Sequence, residues 1–262
     1  MGNEETRVPE AQDFSSEDTK KLKQLKVAYP VQQLGGGIEK AYLSTYLSYL
    51  YTNVYMMPAA FSGLITIIQQ IVGWIGGPLF GTIMDRVSFK NAKYYPWMII
   101  GPVIYYFGWL LIYCLPVFGI TGYSGAVVAL IVAIINACVS PLVTIPTNAV
   151  YPNLSSKPSD RQYFARMQKI MRDGGKTVFG YLFPVLLPAI ALAASNGALE
   201  ATAHGEAVSY AACAVIACVA PVLGYGYYAL CLKGSYVERN AMKKTGKAKK
   251  NLSIGATFKS IF

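Results

Sequence analysis

Six apolar stretches of roughly twenty residues divide this chain: 31–54, 60–84, 96–115, 126–150, 171–193 and 208–232. Each is long enough to cross about 30 Å of hydrocarbon as a helix. Inside lipid every backbone N–H and C=O needs a partner, and a helix supplies one within the segment itself. The six stretches therefore predict an all-α polytopic membrane protein with six transmembrane helices. Composition agrees: only 14% of residues are charged, against about a quarter in a soluble domain. The expected organisation is a cytoplasmic N-terminal tail (1–30), a six-helix domain (31–232) and a basic cytoplasmic tail or linker (233–262).

A net charge of +10 would suit a nucleic-acid partner, but the basic residues sit in loops beside apolar stretches. They set orientation instead, so no nucleic acid is expected. Arg86, Lys90 and Lys93 follow the second stretch. Lys157, Arg161, Arg166, Lys169 and Arg172 lie between the fourth and fifth, and Lys233, Arg239, Lys243 and Lys244 follow the sixth. The alternate loops hold no Lys or Arg. Both termini are thus expected in the cytoplasm, in the plasma (inner) membrane, with lipid as a partner. The N-terminus lacks the basic-then-apolar pattern of a cleaved signal. The five cysteines lack metal-ligand spacing, and His204 is the sole histidine. No metal, no cofactor and no catalytic constellation is expected, so the chain is read as a non-enzyme.

The most patterned stretch is Gln69–Trp97. Gly73, Gly77 and Gly81 recur every four residues and form a bare helical stripe that lets another helix approach closely. Asp85 and Arg86 follow it. The string Gly81-x-x-x-Asp85-Arg86 with later lysines resembles the loop between helices 2 and 3 of major facilitator transporters. With Gly76-Gly-Pro-Leu-Phe-Gly81 and Lys93-Tyr-Tyr-Pro-Trp97, it is similar to the glycoside–pentoside–hexuronide:cation symporters of the melibiose-permease type. Tyr51-Thr-Asn-Val54 and Ile145-Pro146, running on to Asp160-Arg161, are further matches in the same order. The resemblance covers about residues 28–262 and implies the N-terminal six-helix half of a twelve-helix transporter. A second half-transporter chain or a second copy is then the expected partner.

The resemblance also implies acidic cation ligands, and here this sequence departs from it. The matching positions are Gly73 and Gly77 in the second stretch, Thr144 in the fourth and Gly37 in the first; Gln70 stands where an arginine is implied. The usual sodium site is therefore expected to be absent. Other polar residues fall on helical faces. Ser140, Thr144, Thr147, Asn148 and Tyr151 share one face, as do Lys40, Ser44, Ser48 and Tyr51; Glu39, Tyr42, Tyr46 and Tyr49 line an adjacent one. Tyrosine rings and hydroxyls suit sugar rings, or else hydrogen bonds between helices. Gly35-Gly36-Gly37 predicts a kink or a close contact.

Candidate substrate-binding residues are Glu39, Lys40, Tyr46, Thr144, Asn148, Lys169 and Lys176. Lys169 matches the basic sugar-contacting residue that the resemblance implies, and Lys176 is the deeper choice. Ionisable residues inside a membrane usually face a cavity or a partner. A buried Glu39 could carry a proton, so proton coupling is a candidate. Arg172 and Asp173 read as an interfacial ion pair. The expected function is secondary transport of a sugar or related small polar solute. The alternative is a non-transporting subunit or scaffold derived from a transporter half.

Overall fold

The computed structural model describes residues 16–86, 92–155, 157–195 and 200–248. Every regular element among them is a helix: α1 (Ser16–Tyr49), α2 (Ala59–Arg86), α3 (Tyr95–Cys114), α4 (Gly122–Val139), α5 (Pro141–Val150), α6 (Pro158–Ala194), α7 (Ala203–Leu232) and α8 (Tyr236–Ala248). A π-helical turn, Leu50–Val54, closes α1, and a 3-10 turn, Leu115–Phe118, closes α3.

Five segments are both long and apolar enough to cross a membrane: Ala59–Met84, Tyr95–Phe118, Gly122–Asn153, Pro158–Ala194 and Ala203–Leu232. The helix over the first expected crossing, α1, is different in kind and is not among these five. It carries Gln32, Gln33, Glu39 and Lys40 and survives in an apolar bundle because α6 and α7 pack along it. At 34 residues it is about 51 Å long.

Two helices start earlier than their apolar stretches. The N-terminal half of α1 (16–30) and the first turns of α6 (158–170) are helical, where a tail and a connection were expected. Both extensions bury apolar side chains in a small core at the basic end of the bundle. Leu22, Leu25 and Tyr29 meet Phe164, Tyr228, Leu232 and Val237 there. Lys26 pairs with Asp160 at 2.7 Å, and Asp160 also accepts from Ser155 at 2.9 Å. Asp85 and Arg86 belong to the last turn of α2 and not to a loop. Lys90 and the end of the expected basic tail, 249–262, lie outside the described residues.

The fourth stretch divides at Pro141, whereas Pro146 lies inside α5. Pro141 lacks an N–H, which leaves the carbonyl of Ala137 without its helical donor. The hydroxyl of Ser140 donates to that carbonyl at 3.0 Å, and α4 gives way to α5. Pro146 likewise frees the Leu142 carbonyl, and Gly101 brings α3 against it: a Cβ there would stand 2.7 Å from that oxygen.

The glycine triplet makes a close contact within a continuous α1. A Cβ on Gly37 would lie 2.4 Å from the Arg172 carbonyl oxygen of α6, and one on Gly35 would lie 2.6 Å from Pro221 Cα of α7. Gly36 has nothing within 4 Å. Gly37→Ala is thus expected to cost roughly 1–3 kcal/mol, as overpacking against backbone does, and to lower the apparent melting temperature by several degrees. Gly36→Ala should leave it unchanged. A fluorescence-detected thermostability assay on the two variants checks this; equal melting would remove the α1–α6 seam from the fold.

The glycines of α2 behave differently from the stripe expected. The tight position is Gly76, where a Cβ would sit 2.9 Å from the Cys138 carbonyl oxygen. Gly73 and Gly81 would make ordinary contacts at 3.9 and 3.7 Å, and Gly77 meets nothing within 4 Å. Close approach of α2 to α4 therefore falls at Gly76, and Gly73 and Gly77 border an open groove.

Candidate functional site

Two polar regions emerge. The first lies on α1, where it faces α3 and α6. Glu39 is half-buried on α1. Its Oε2 accepts from the Tyr106 hydroxyl at 2.6 Å, and its Oε1 is 3.5 Å from that of Tyr105. Both tyrosines come from α3, so the carboxylate points into the bundle. Lys40, the next residue, is exposed. It follows Gly37 by one turn and so lies on the same side of α1. The backbone nitrogen of Lys176 would stand 3.0 Å from a Cβ on Gly37, which places α6 beside Lys40. Lys176 and Asp173 are exposed as well. Lys169 is exposed two turns nearer the basic end, in a shallow surface recess with Arg166 and Asp173.

Arg172 does not close on Asp173 as an interfacial pair. Its Nη2 donates instead to Oε1 of Gln33 at 2.7 Å, and Gln33 Nε2 donates to Gln32 Oε1 at 2.7 Å. Both glutamines are fully buried. This run of amides and guanidinium between α1 and α6 was missed at the level of sequence. Its signal was an adjacent glutamine pair within an otherwise apolar stretch.

The second region is a groove of about 420 Å³ between α2, α3 and the α4–α5 break. Gln69, Gln70, Gly73 and Gly77 line one wall; Tyr105, Trp109, Asn136, Ser140 and Thr144 line the others. Asn136 is buried with its Nδ2 unpartnered. No carboxylate stands among the groove's lining residues. Positions 73, 77 and 144, where acids were implied, thus do come together in space, but they bring no charge. Gly37 is apart from them, in the α1–α6 seam.

The other candidates divide by burial. Thr144 and Asn148 are exposed on α5, with the Thr144 hydroxyl 3.5 Å from the Ser140 carbonyl. Thr147 is buried and donates to Val143 within its own helix at 2.8 Å. Tyr46 is half-buried and stacks on Tyr42 with ring centroids 5.0 Å apart. Tyr42 and Tyr51 are core residues. The Tyr42 hydroxyl donates to the Tyr210 carbonyl at 2.8 Å, and Tyr113 does the same to Leu43 at 3.0 Å. These hydroxyls join helices. Ser44 and Ser48 stay exposed on α1.

The family model described as MFS/sugar transport protein matches residues 28–262. The chain belongs to that family. Relatives within it are transporters and symporters. An isoprimeverose transporter of Lactiplantibacillus pentosus is 25% identical over 197 residues, covering 74% of this chain and 39% of the relative. The uncharacterized symporter YnaJ of Bacillus subtilis (strain 168) is 31% identical over 87 residues, 33% of this chain and 19% of the relative. The inner membrane symporter YicJ of Escherichia coli (strain K12) is 23% identical over 136 residues, covering 52% and 29%. The match thus spans well under half the length of these relatives. Family membership and the five long apolar helices together support a multi-pass membrane protein.

Proposed function

We propose that this chain forms a six-helix half of a transporter for a sugar or related small polar solute. The observation that carries the reading is a hydrophilic edge of the bundle: Lys40, Ser44 and Lys176 stand exposed beside the α1–α6 seam, in a molecule that also exposes many Ile, Leu and Val side chains. Such residues at membrane depth suit a wet solute path. Lys40 and Lys176 would donate to solute hydroxyls, Tyr46 would offer a ring face, and Thr144 and Asn148 would contribute from α5. Lys169 is an outer contact nearer the basic end. Isoprimeverose, named for the Lactiplantibacillus relative, is the first solute to try.

The test is counterflow of labelled isoprimeverose in vesicles from cells with and without the gene. Transport predicts counterflow that is lost on deletion, and Lys40→Ala and Lys176→Ala should raise its KM at least several-fold. The carboxylate-free groove favours the second reading, a non-transporting subunit. On that reading, these variants leave the KM of any residual flux unchanged.

Coupling follows from the same groove. Sodium needs several oxygen ligands and is held mainly by carboxylate charge. With Gly73, Gly77 and Thr144 in those places, exchanging potassium for sodium is expected to change neither solute affinity nor rate. A sodium-dependent rise in isoprimeverose uptake would overturn this. The coupling ion proposed instead is the proton, carried at Glu39. Both termini are proposed to be cytoplasmic, in the plasma membrane. A cysteine at the exposed Tyr123 should then react from outside, and one at Lys233 only from inside.

A further inference from the structure

Helix α3 begins without a cap of its own. Tyr94, in the cap position, makes no side-chain bond to the first turn, and a proline follows it. The N–H groups there are met from far along the chain, by Glu238 of α8. Its Oε2 accepts from the Lys93 backbone nitrogen at 2.7 Å, and its Oε1 accepts from those of Tyr94 and Tyr95 at 3.0 and 2.6 Å. The Glu238 residue is 2% exposed. A carboxylate here satisfies donors that a helix start leaves free and complements the positive end of the helix. Bonds to a charged acceptor are also the stronger kind.

The turn that delivers Glu238 is built for it. Gly234 takes φ +71°, a left-handed conformation that glycine adopts without strain. Ser235 then donates its N–H to the Leu232 carbonyl at 3.0 Å. The same helix is tied to α1. Arg239 pairs with Asp18, and the Lys21 ammonium donates to the Lys233 carbonyl at 3.3 Å. Val237 packs into the core that holds Leu25 of α1 and Met98 of α3. Thus α8 grips the basic ends of α1 and α3. Deeper in the bundle these two helices meet again, at Glu39 and Tyr106. Tyr106 lies about 16 Å beyond Tyr95 along α3.

We propose that α8 is a clasp, keyed by Glu238, that fixes the axial position of α3 against α1 and so keeps the Tyr106–Glu39 contact closed. Opening the clasp frees the first turn of α3 and lets the two helices shift at the depth of Glu39. This goes beyond the transport reading and holds whatever the solute is.

The test uses the full chain in lipid nanodiscs and needs no solute. Hydrogen–deuterium exchange reads the backbone at Lys93–Trp97. The native thiol of Cys218 reads the deeper level, because it is buried in the same core as Tyr106; the other four cysteines are replaced by alanine. Glu238→Ala is expected to speed exchange at Lys93–Trp97 about tenfold or more and to raise the N-ethylmaleimide reactivity of Cys218 several-fold. Glu238→Gln keeps one acceptor oxygen and should fall between, which covers the case in which the alanine variant fails to fold. Glu238→Asp should lie near wild type. Faster exchange with unchanged Cys218 reactivity would make Glu238 a local cap and overturn the clasp. Unchanged exchange in both variants would overturn the cap as well.

Discussion

Glu39→Gln is expected to reduce uphill accumulation of solute to background while leaving downhill counterflow in place. Glutamine keeps the size of the side chain and an oxygen for the 2.6 Å bond from Tyr106. What it loses is the ability to take up and release a proton. Charging a carboxylate within a membrane is costly unless donors and a wet path support it. Here the donors are the hydroxyls of Tyr105 and Tyr106, and the proposed path is the exposed side of α1 at Lys40 and Ser44. Tyr106→Phe removes the close donor and leaves the proton carrier, so it should weaken accumulation without ending it; Glu39→Asp should retain part. The measurement is uptake of labelled isoprimeverose under an imposed pH gradient, beside counterflow without one. A Glu39→Gln variant that accumulates solute like wild type would sink proton coupling through this residue. If counterflow disappears too, Glu39 binds solute and its role in coupling is lost.

How much of this was legible in the sequence depends on what each feature rests on. Apolar length is a property of one segment, and it gave the five long apolar helices; the break at Pro141 is as local, because it follows from the missing proline N–H. Helix ends were not legible by that rule, because the extra turns of α1 and α6 are stabilised by one another. Lys26 meets Asp160 and Leu25 meets the Phe164 cluster, and neither half of such a contact announces itself. The tyrosines show the same limit. Tyr42 and Tyr46 lie on one helical face, yet Tyr42 is sealed beneath Tyr210 and Phe183 while Tyr46 borders the surface. Spacing says which residues share a face and not what covers it. For α2 the glycine period was real, but the row in close contact is one residue over, at Gly76. Glu238 was illegible for another reason: its partners are backbone N–H groups 143 to 145 positions away, and backbone carries no sequence signature.

The hydrophilic side of the bundle is expected to face another protein surface across water and not lipid. Lys40, Asn148, Asp173 and Lys176 are all exposed. A charge held at the centre of a bilayer costs at least roughly 2.5–3.5 kcal/mol, and the lysines offset that only as far as their stems reach the interface. The relatives extend well beyond the matched region, which is 39% of the isoprimeverose transporter. A second six-helix unit is therefore proposed to cover this side, whether it comes from the same polypeptide, from a separate chain or from a second copy. Bimane labels on single cysteines in native membranes distinguish the environments. Labels at Lys40, Asn148 and Lys176 should be quenched by aqueous iodide and shielded from lipid-borne quenchers. Labels at Val185 and Leu223, which are 66% and 67% exposed on apolar faces, should behave in the opposite way. Cysteine pairs along α1 and α5 should crosslink to the covering unit, and a second copy would appear as a band of twice the mass. Lipid quenching at Lys40 and Lys176, in a preparation that still shows isoprimeverose counterflow, would mean that six helices suffice and would end the half-transporter reading.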